Sequence, residues 1–419
     1  MAPLLAWNRA RLLRRRERKA VQRNAIYRQN TSGDGTAQAA LTEYQAALAS
    51  QQLPGPHHEA ALTGAPPART DVQLICFYLP QFHPIAENDA WWGKGFTEWR
   101  NVVRGMPRFK GHEQPQLPAD LGFYDLENPA TLARQIELAR GAGVTGFSFY
   151  YYNFDGRRVL EKPIEAFLRR PELTIDFCIT WANENWTRRW DGLNDDVLLR
   201  QTHRVEAEPA LFDDLCRHFA DPRYIRLGER PLFILYRPKL IPDIRGWMQR
   251  LRRHCRDHHG LDPYVMMVQG FGQADPREYD IDASVEFPPH HLVTGLKPAQ
   301  DLALFDAAFC GTYYRYADLV QASLDAPIPD HDFAKCVAPG WDNEARRPGR
   351  GTGFIGATPA LYETWLQQAF AHARRHPVAG DQPLVFVNAW NEWAEGAHLE
   401  PDLRHGHAYL NATRRALEA

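Results

Sequence analysis

Short apolar runs of strand length recur along the chain and alternate with longer stretches whose apolar positions fall three and four residues apart. Eight of the short runs read as strands: QLICFYL (73–79), VTGFSFYYY (144–152), IDFCITWA (175–182), PLFILY (231–236), YVMMVQ (264–269), ASVEF (283–287), KCVAP (335–339) and LVFVNAW (384–390). Between them PATLARQIELARGAG, EPALFDDLCRHFA, IRGWMQRLRRHCRDHHG and TPALYETWLQQAFAHARRH carry helical spacing, and the segment after Pro401 supplies a last helix. Strand–helix alternation of this kind builds a parallel sheet, and eight repeats point to an α/β protein of (β/α)8 TIM-barrel architecture. An open doubly wound sheet is the competitor, but no G-x-G-x-x-G follows the first strand.

The segment before the barrel has a different composition. RARLLRRRERKAVQRNAIYR (9–28) is strongly basic, with a weak apolar stripe at Leu12, Leu13, Val21 and Ile26. A solvated arm is the plainer reading, and contact with a membrane surface or a partner protein is the functional one. A polar tract, a helix-like AALTEYQAALAS and a Pro/Gly/His-rich connector follow, so residues 1–70 divide off as an N-terminal extension and residues 71–419 as the barrel. The opening Met1 to Trp7 is too short for a signal-peptide core, and no run approaches the ~18 apolar residues of a membrane span.

Lys plus Arg (49) nearly balances Asp plus Glu (51), for a formal net charge of -2, so no global field argues for a nucleic-acid partner. The six cysteines form no C-x-x-C pair, and Cys76, Cys178 and Cys336 fall inside predicted strands. Buried, reduced thiols are expected, which suits the cytoplasm.

In a TIM barrel the chemistry sits where the strands end. The first strand runs toward His83, Trp91, Trp92 and Glu98; the second ends in Tyr151 and Tyr152; the third in Trp181, Asn183, Glu184, Trp186, Arg188, Arg189 and Asp191. The fourth ends in Tyr236 and Arg237, the sixth in Glu286 and His290, the seventh in Trp341, Asp342 and Asn343, and the eighth in Trp390, Asn391, Glu392, Trp393 and Glu395. Carboxylates and amides suit the hydroxyl edges of a sugar, and flat rings suit its C–H faces. Any single ring here has packing as its plainer explanation, whereas rings converging with acids at several strand ends argue for a saccharide site.

Cleavage of a glycosidic bond uses two carboxyl groups in different protonation states. Glu98, Glu184, Glu286, Glu392 and Glu395 are the candidates. Glu392 and Glu395 stand three residues apart, so one turn aims both into one pocket, where mutual repulsion raises one pKa. The structural alternative pairs such glutamates with Arg188, Arg189 or Arg237. No H-E-x-x-H or spaced His/Asp ligand set, G-x-S-x-G or P-loop is visible, so neither a catalytic metal nor another cofactor is expected.

The segments FYLPQFHPIAENDAWWGKGFTEWRNV, QPQLPADLGFYDL, WANENWTRRWDG, RYIRLGERPLFILYRP, VEFPPH, PGWDNEARR and NAWNEWAEGAHLEPD resemble the WbsX-like family, in this order and across nearly all of 73–409. That family is associated with O-antigen and other surface polysaccharides and is similar to glycoside hydrolase family 99, the retaining endo-α-mannosidases. The resemblance implies a metal-independent (β/α)8 barrel. It also implies that Glu392 draws the proton from the substrate's own 2-hydroxyl, giving a 1,2-anhydro sugar, and that Glu395 acts as general acid and then base. A hydrolase or transglycosidase acting on poly- or oligosaccharide is the leading reading. A sugar transferase is the alternative, with Arg188 and Arg189 meeting an anionic donor, although Asn194-Asp195-Asp196 is a poor D-x-D metal motif. A non-catalytic carbohydrate-binding module is the third.

Overall fold

The computed structural model describes residues 37–65, 67, 71–188, 193–306 and 308–419. The basic run 9–28, Arg189 and Asp191 lie outside the described residues, as does the side chain of Arg188.

All eight expected strands are present: β1 (Gln73–Tyr78), β2 (Gly146–Phe154), β3 (Asp176–Trp181), β4 (Arg230–Leu235), β5 (Tyr264–Val268), β6 (Ala283–Val285), β7 (Phe333–Val337) and β8 (Leu384–Val387). Each pairs in parallel with its neighbours in chain order. The circle closes where β1 pairs with both β2 and β8, with Ile75 opposite Gly146 and Gln73 opposite Leu384. Barrel strands are covered on both faces, by the interior and by the helix layer, which is why they read as continuous apolar runs rather than alternating ones. In the interior Phe77 meets Tyr150, Phe287 and Phe386 at ring separations of 5.9, 5.1 and 5.6 Å.

The outer layer comprises α1 (Pro129–Gly141), α2 (Lys162–Leu168), α3 (Glu208–Phe219), α4 (Ile244–His259), α5 (Tyr316–Asp325), α6 (Pro359–Arg375) and α7 (Ala408–Glu418). Their ends follow from local chemistry. Asn128 and Thr358 accept backbone N–H groups of the first turns of α1 and α6, each with proline opening the helix. Gly260 ends α4 in the left-handed conformation, φ 65°. The crossover from β5 to β6 departs from the expected rhythm, since only a short 3-10 turn, Pro276–Tyr279, lies between them.

The strand bounds differ from the sequence reading by up to three residues, most at β8, which ends at Val387 rather than Trp390. β6 stops at Val285 because Glu286 turns its side chain into a buried polar contact, and β7 begins at Phe333 because Ser284 and Val285 pair with Phe333 and Ala334. Ahead of the barrel, helix Ala37–Ser50 leads into a segment tied to the C-terminal region. The Gly55 N–H donates to Arg404 O at 2.7 Å, and the Glu59 side chain accepts from Asn411 at 2.8 Å. Five of the six cysteines are buried and Cys310 is half-buried, all as free thiols. Among the described residues no helix is long and apolar enough to cross a membrane.

Candidate active site

Past β8 the chain makes a tight hairpin. Asn391 pairs with His398 and Glu392 with Ala397, and a 3-10 turn over Trp393–Glu395 separates them. Gly396 closes the turn at φ 59°, where a β-carbon would come within 3.0 Å of the Asp342 backbone. The hairpin is fastened from three sides. The Asn391 side chain accepts from Leu79 N–H at 2.7 Å and donates to Leu79 O at 3.0 Å, fixing it to the end of β1. Asp342 N–H donates to Glu395 O at 2.6 Å, fixing it to the loop after β7. The Trp393 indole donates to Glu400 at 2.6 Å and stacks on His398, centroids 3.6 Å apart.

The turn delivers Glu392 and Glu395 into one cavity of about 520 Å3 at the strand ends. Aromatic side chains form much of its wall: Trp91 and Trp92 from the loop after β1, Tyr150 and Tyr152 from β2, Trp186, Tyr236, Phe287 and Trp341. Glu184, His290 and Asn343 line it as well. Trp186 stands edge-on to Trp91, Tyr152 and Phe154 at 5.9, 5.3 and 5.5 Å, so its position is set by three other rings.

At the base of the cavity Arg346 joins three acids. Its Nε donates to Glu98 at 2.7 Å, its Nη2 to Glu392 at 3.0 Å, and its Nη1 to Glu395. Trp341 Nε1 donates to the other Glu395 oxygen at 3.3 Å. One guanidinium cannot neutralise three carboxylates in a buried place. Burial, foremost, pushes the Glu392 carboxyl well above the usual carboxylate range, with repulsion from Glu395 and Glu98 adding to it and Arg346 opposing. Burial likewise raises Glu98 against the pull of Arg346. The repulsion expected from the sequence is thus real but secondary to desolvation. The two glutamates also differ in access: the Glu392 side chain is 7% exposed and that of Glu395 23%.

Several predicted residues lie outside the cavity wall, each for a definite reason. Successive side chains of a strand point to opposite faces, so between Tyr150 and Tyr152 the Tyr151 ring faces the helix layer and donates to Asp214 of α3 at 2.7 Å. Trp181 similarly stacks on Trp247 of α4, 5.5 Å away. Asn183 exchanges two hydrogen bonds with the Arg237 backbone, and Arg237 pairs with Glu184 while covering the Phe271 ring at 4.1 Å. Glu286 is buried with Lys335, 3.2 Å away, and Ser323. Glu98 is fully buried and communicates with the cavity through Arg346. His83 is fully buried and Trp390 packs on Phe147. Asp342 accepts from Tyr313 at 2.8 Å and lies 2.6 Å from His112, and with Asn391 and Trp393 it holds the hairpin that carries Glu392 and Glu395 rather than facing the cavity. Arg346 is the central residue that strand-end inspection did not single out. It sits in the P-G-W-D-N-E-A-R-R run, one arginine among many, and nothing in spacing marks it as the partner of an acid 248 residues away.

The fold is thus a closed (β/α)8 TIM barrel with a glutamate pair after its last strand and an aromatic-walled cavity above it. Residues 74–413 match the family described as glycosyltransferase WbsX, and the chain belongs to that family. It is 45% identical over 360 residues to the protein WxcX of Xanthomonas campestris pv. campestris, an alignment covering 86% of this chain and 52% of that one, so the chain spans about half the length of the curated relatives it matches. Among solved structures it is similar to the family 99 endo-α-mannosidase of Bacteroides thetaiotaomicron, with TM-score 0.52 and 14% identity over 84% of this chain and 98% of that one. It is also similar to a glycoside hydrolase-like protein, with TM-score 0.53 and 14% identity over 85% and 98%. At that identity the likeness is one of fold.

Proposed function

We propose that the protein cleaves or transfers glycosidic bonds in a bacterial surface polysaccharide or its intermediates, using Glu392 and Glu395. The observation that carries this reading is the difference between the two acids within one sugar-sized, ring-walled cavity. Glu392 is the more sequestered, and desolvation makes its carboxylate a strong base, suited to drawing a proton from a substrate hydroxyl. Glu395 is the more open to solvent, as an acid must be if, after protonating the leaving oxygen, it is to activate an incoming water. The sequence resemblance to glycoside hydrolase family 99 implies the same division: Glu392 forms a 1,2-anhydro sugar from the 2-hydroxyl, and Glu395 serves as acid and then base.

One observation favours transfer from an activated, anionic donor. Arg347 lines the cavity beside Arg346, which is the residue that takes up Glu98, Glu392 and Glu395. Arg347 therefore offers a charge to a phosphate or uronate.

Both readings meet in one experiment. The purified protein is incubated with polysaccharide and lipid-linked oligosaccharide, with and without nucleotide sugars, beside Glu392→Gln and Glu395→Gln, and products are read by mass spectrometry. Fragments released by the wild type and lost in both variants support cleavage. Acceptor growth that requires the nucleotide sugar moves the protein to the transferases. Glycan binding without turnover in any arm makes it a binding module.

A further inference from the structure

We propose that Asp213, His254 and His259 form a binding site for a zinc-class transition-metal ion that clips α3 to α4 on the outside of the barrel. Asp213 belongs to α3, and the two histidines belong to the last two turns of α4. The Nε2 atoms of His254 and His259 lie 2.6 and 2.9 Å from the same Asp213 oxygen, and the three ligand atoms all fall within 4.8 Å of one another. Two imidazoles already converge on one carboxylate oxygen, so most of the ordering that a metal site requires is present before any ion arrives.

A tetrahedral zinc ion holds nitrogen and oxygen ligands at about 2.0–2.1 Å, which places neighbouring ligand atoms roughly 3.3 Å apart. Reaching that geometry opens the two Asp–His contacts by well under an ångström. The side chains are free to do so, since Asp213 is 58% and His259 32% exposed, and the same exposure leaves the ion a path in. His258, whose ring centroid is 4.6 Å from that of His254, stands beside the group on the same helix. The ion would also sit at the C-terminal end of α4, where the last carbonyl groups favour positive charge. Two arginines of the same helices pair elsewhere: Arg217 with Glu165 and Asp214, and Arg256 with Asp262. Two imidazoles and a carboxylate select zinc, copper or nickel over magnesium or calcium. The ligands come from helices of the outer layer rather than from strand ends, so the ion acts by tying the two helices together and takes no part in the cavity's chemistry.

The test uses the full chain stripped with a chelator and then titrated with ZnCl2, by calorimetry and by competition with a zinc-chelating dye, with thermal melts in parallel. Wild type is expected to bind one more zinc equivalent than His254→Gln/His259→Gln, and zinc, unlike MgCl2, is expected to raise its melting temperature by a margin the double variant lacks. If circular dichroism finds the double variant misfolded, Asp213→Asn replaces it, with zinc affinity expected to fall on the order of tenfold or more. Equal stoichiometry, affinity and melting shift in wild type and variant overturns the proposal.

Discussion

Arg346 and Glu98 meet in a charge-assisted hydrogen bond of 2.7 Å, formed between the loop after β7 and the loop after β1 and closed off from solvent at Glu98. The same guanidinium reaches Glu392 and Glu395, so one cation sets the position of both proposed catalytic acids. Arg346→Met strands three carboxyl groups in a buried place. The expected loss is about 3–5 kcal/mol at pH 8 and clearly less at pH 5, where Glu98 and Glu392, both raised by burial, take up protons instead. Denaturant unfolding at the two pH values measures it, and an equal loss at both would show that charge is not the issue.

The pH profile of turnover follows from Glu392. A base works only when ionised, and burial raises this carboxyl, so kcat/KM should climb with pH through the neutral range instead of levelling off just above the ordinary glutamate value of about 4.3. Glu98→Gln removes a nearby like charge and frees Arg346 for Glu392, so the rising limb should move to lower pH. A limb at the ordinary carboxylate value in the wild type would remove Glu392 from the role of base.

Glu400 supplies a stability prediction separate from catalysis. Burial pushes its carboxyl up to about 7 against hydrogen bonds from Trp393, Gln135 and Tyr124. Because the folded pKa is raised, the native state holds a proton that the unfolded chain releases near 4.5, so stability falls as pH climbs from about 4.5 to about 7. Glu400→Gln should flatten that fall, leaving the part due to the other raised carboxyls, Glu392, Glu98, Glu286 and Glu344. Thermal melts across the window decide it: a slope unchanged by the substitution would mean that Glu400 is ionised in the fold throughout.

Glu286 and Lys335 provide the contrast between a buried acid that builds the barrel and one that faces the cavity. Lys335→Met leaves a fully buried carboxyl without its cation and should cost about 3 kcal/mol or more, with turnover per folded molecule unchanged. Unfolding curves together with specific activity check this. A kinetic defect in a stably folded variant would bring Glu286 into the site.

The eight strands, the main helices and the position of the acid pair were legible in the sequence because each rests on local information. Buried parallel strands need unbroken apolar runs, helix ends carry capping residues such as Asn128 and Thr358, and two glutamates three residues apart share a turn whatever surrounds them. Tertiary structure decided everything that depends on which distant groups meet. Strand ends nominate neighbours equally, yet the alternation of faces turned Tyr152 into the cavity and Tyr151 out to α3. Glu286 and Glu392 both follow barrel strands, and only the packed surroundings gave one a lysine and the other a cavity. Arg346 lay outside local reasoning altogether, since its importance comes from closing the barrel: that brings the loops after β1, β7 and β8 together and sets three acids around one guanidinium.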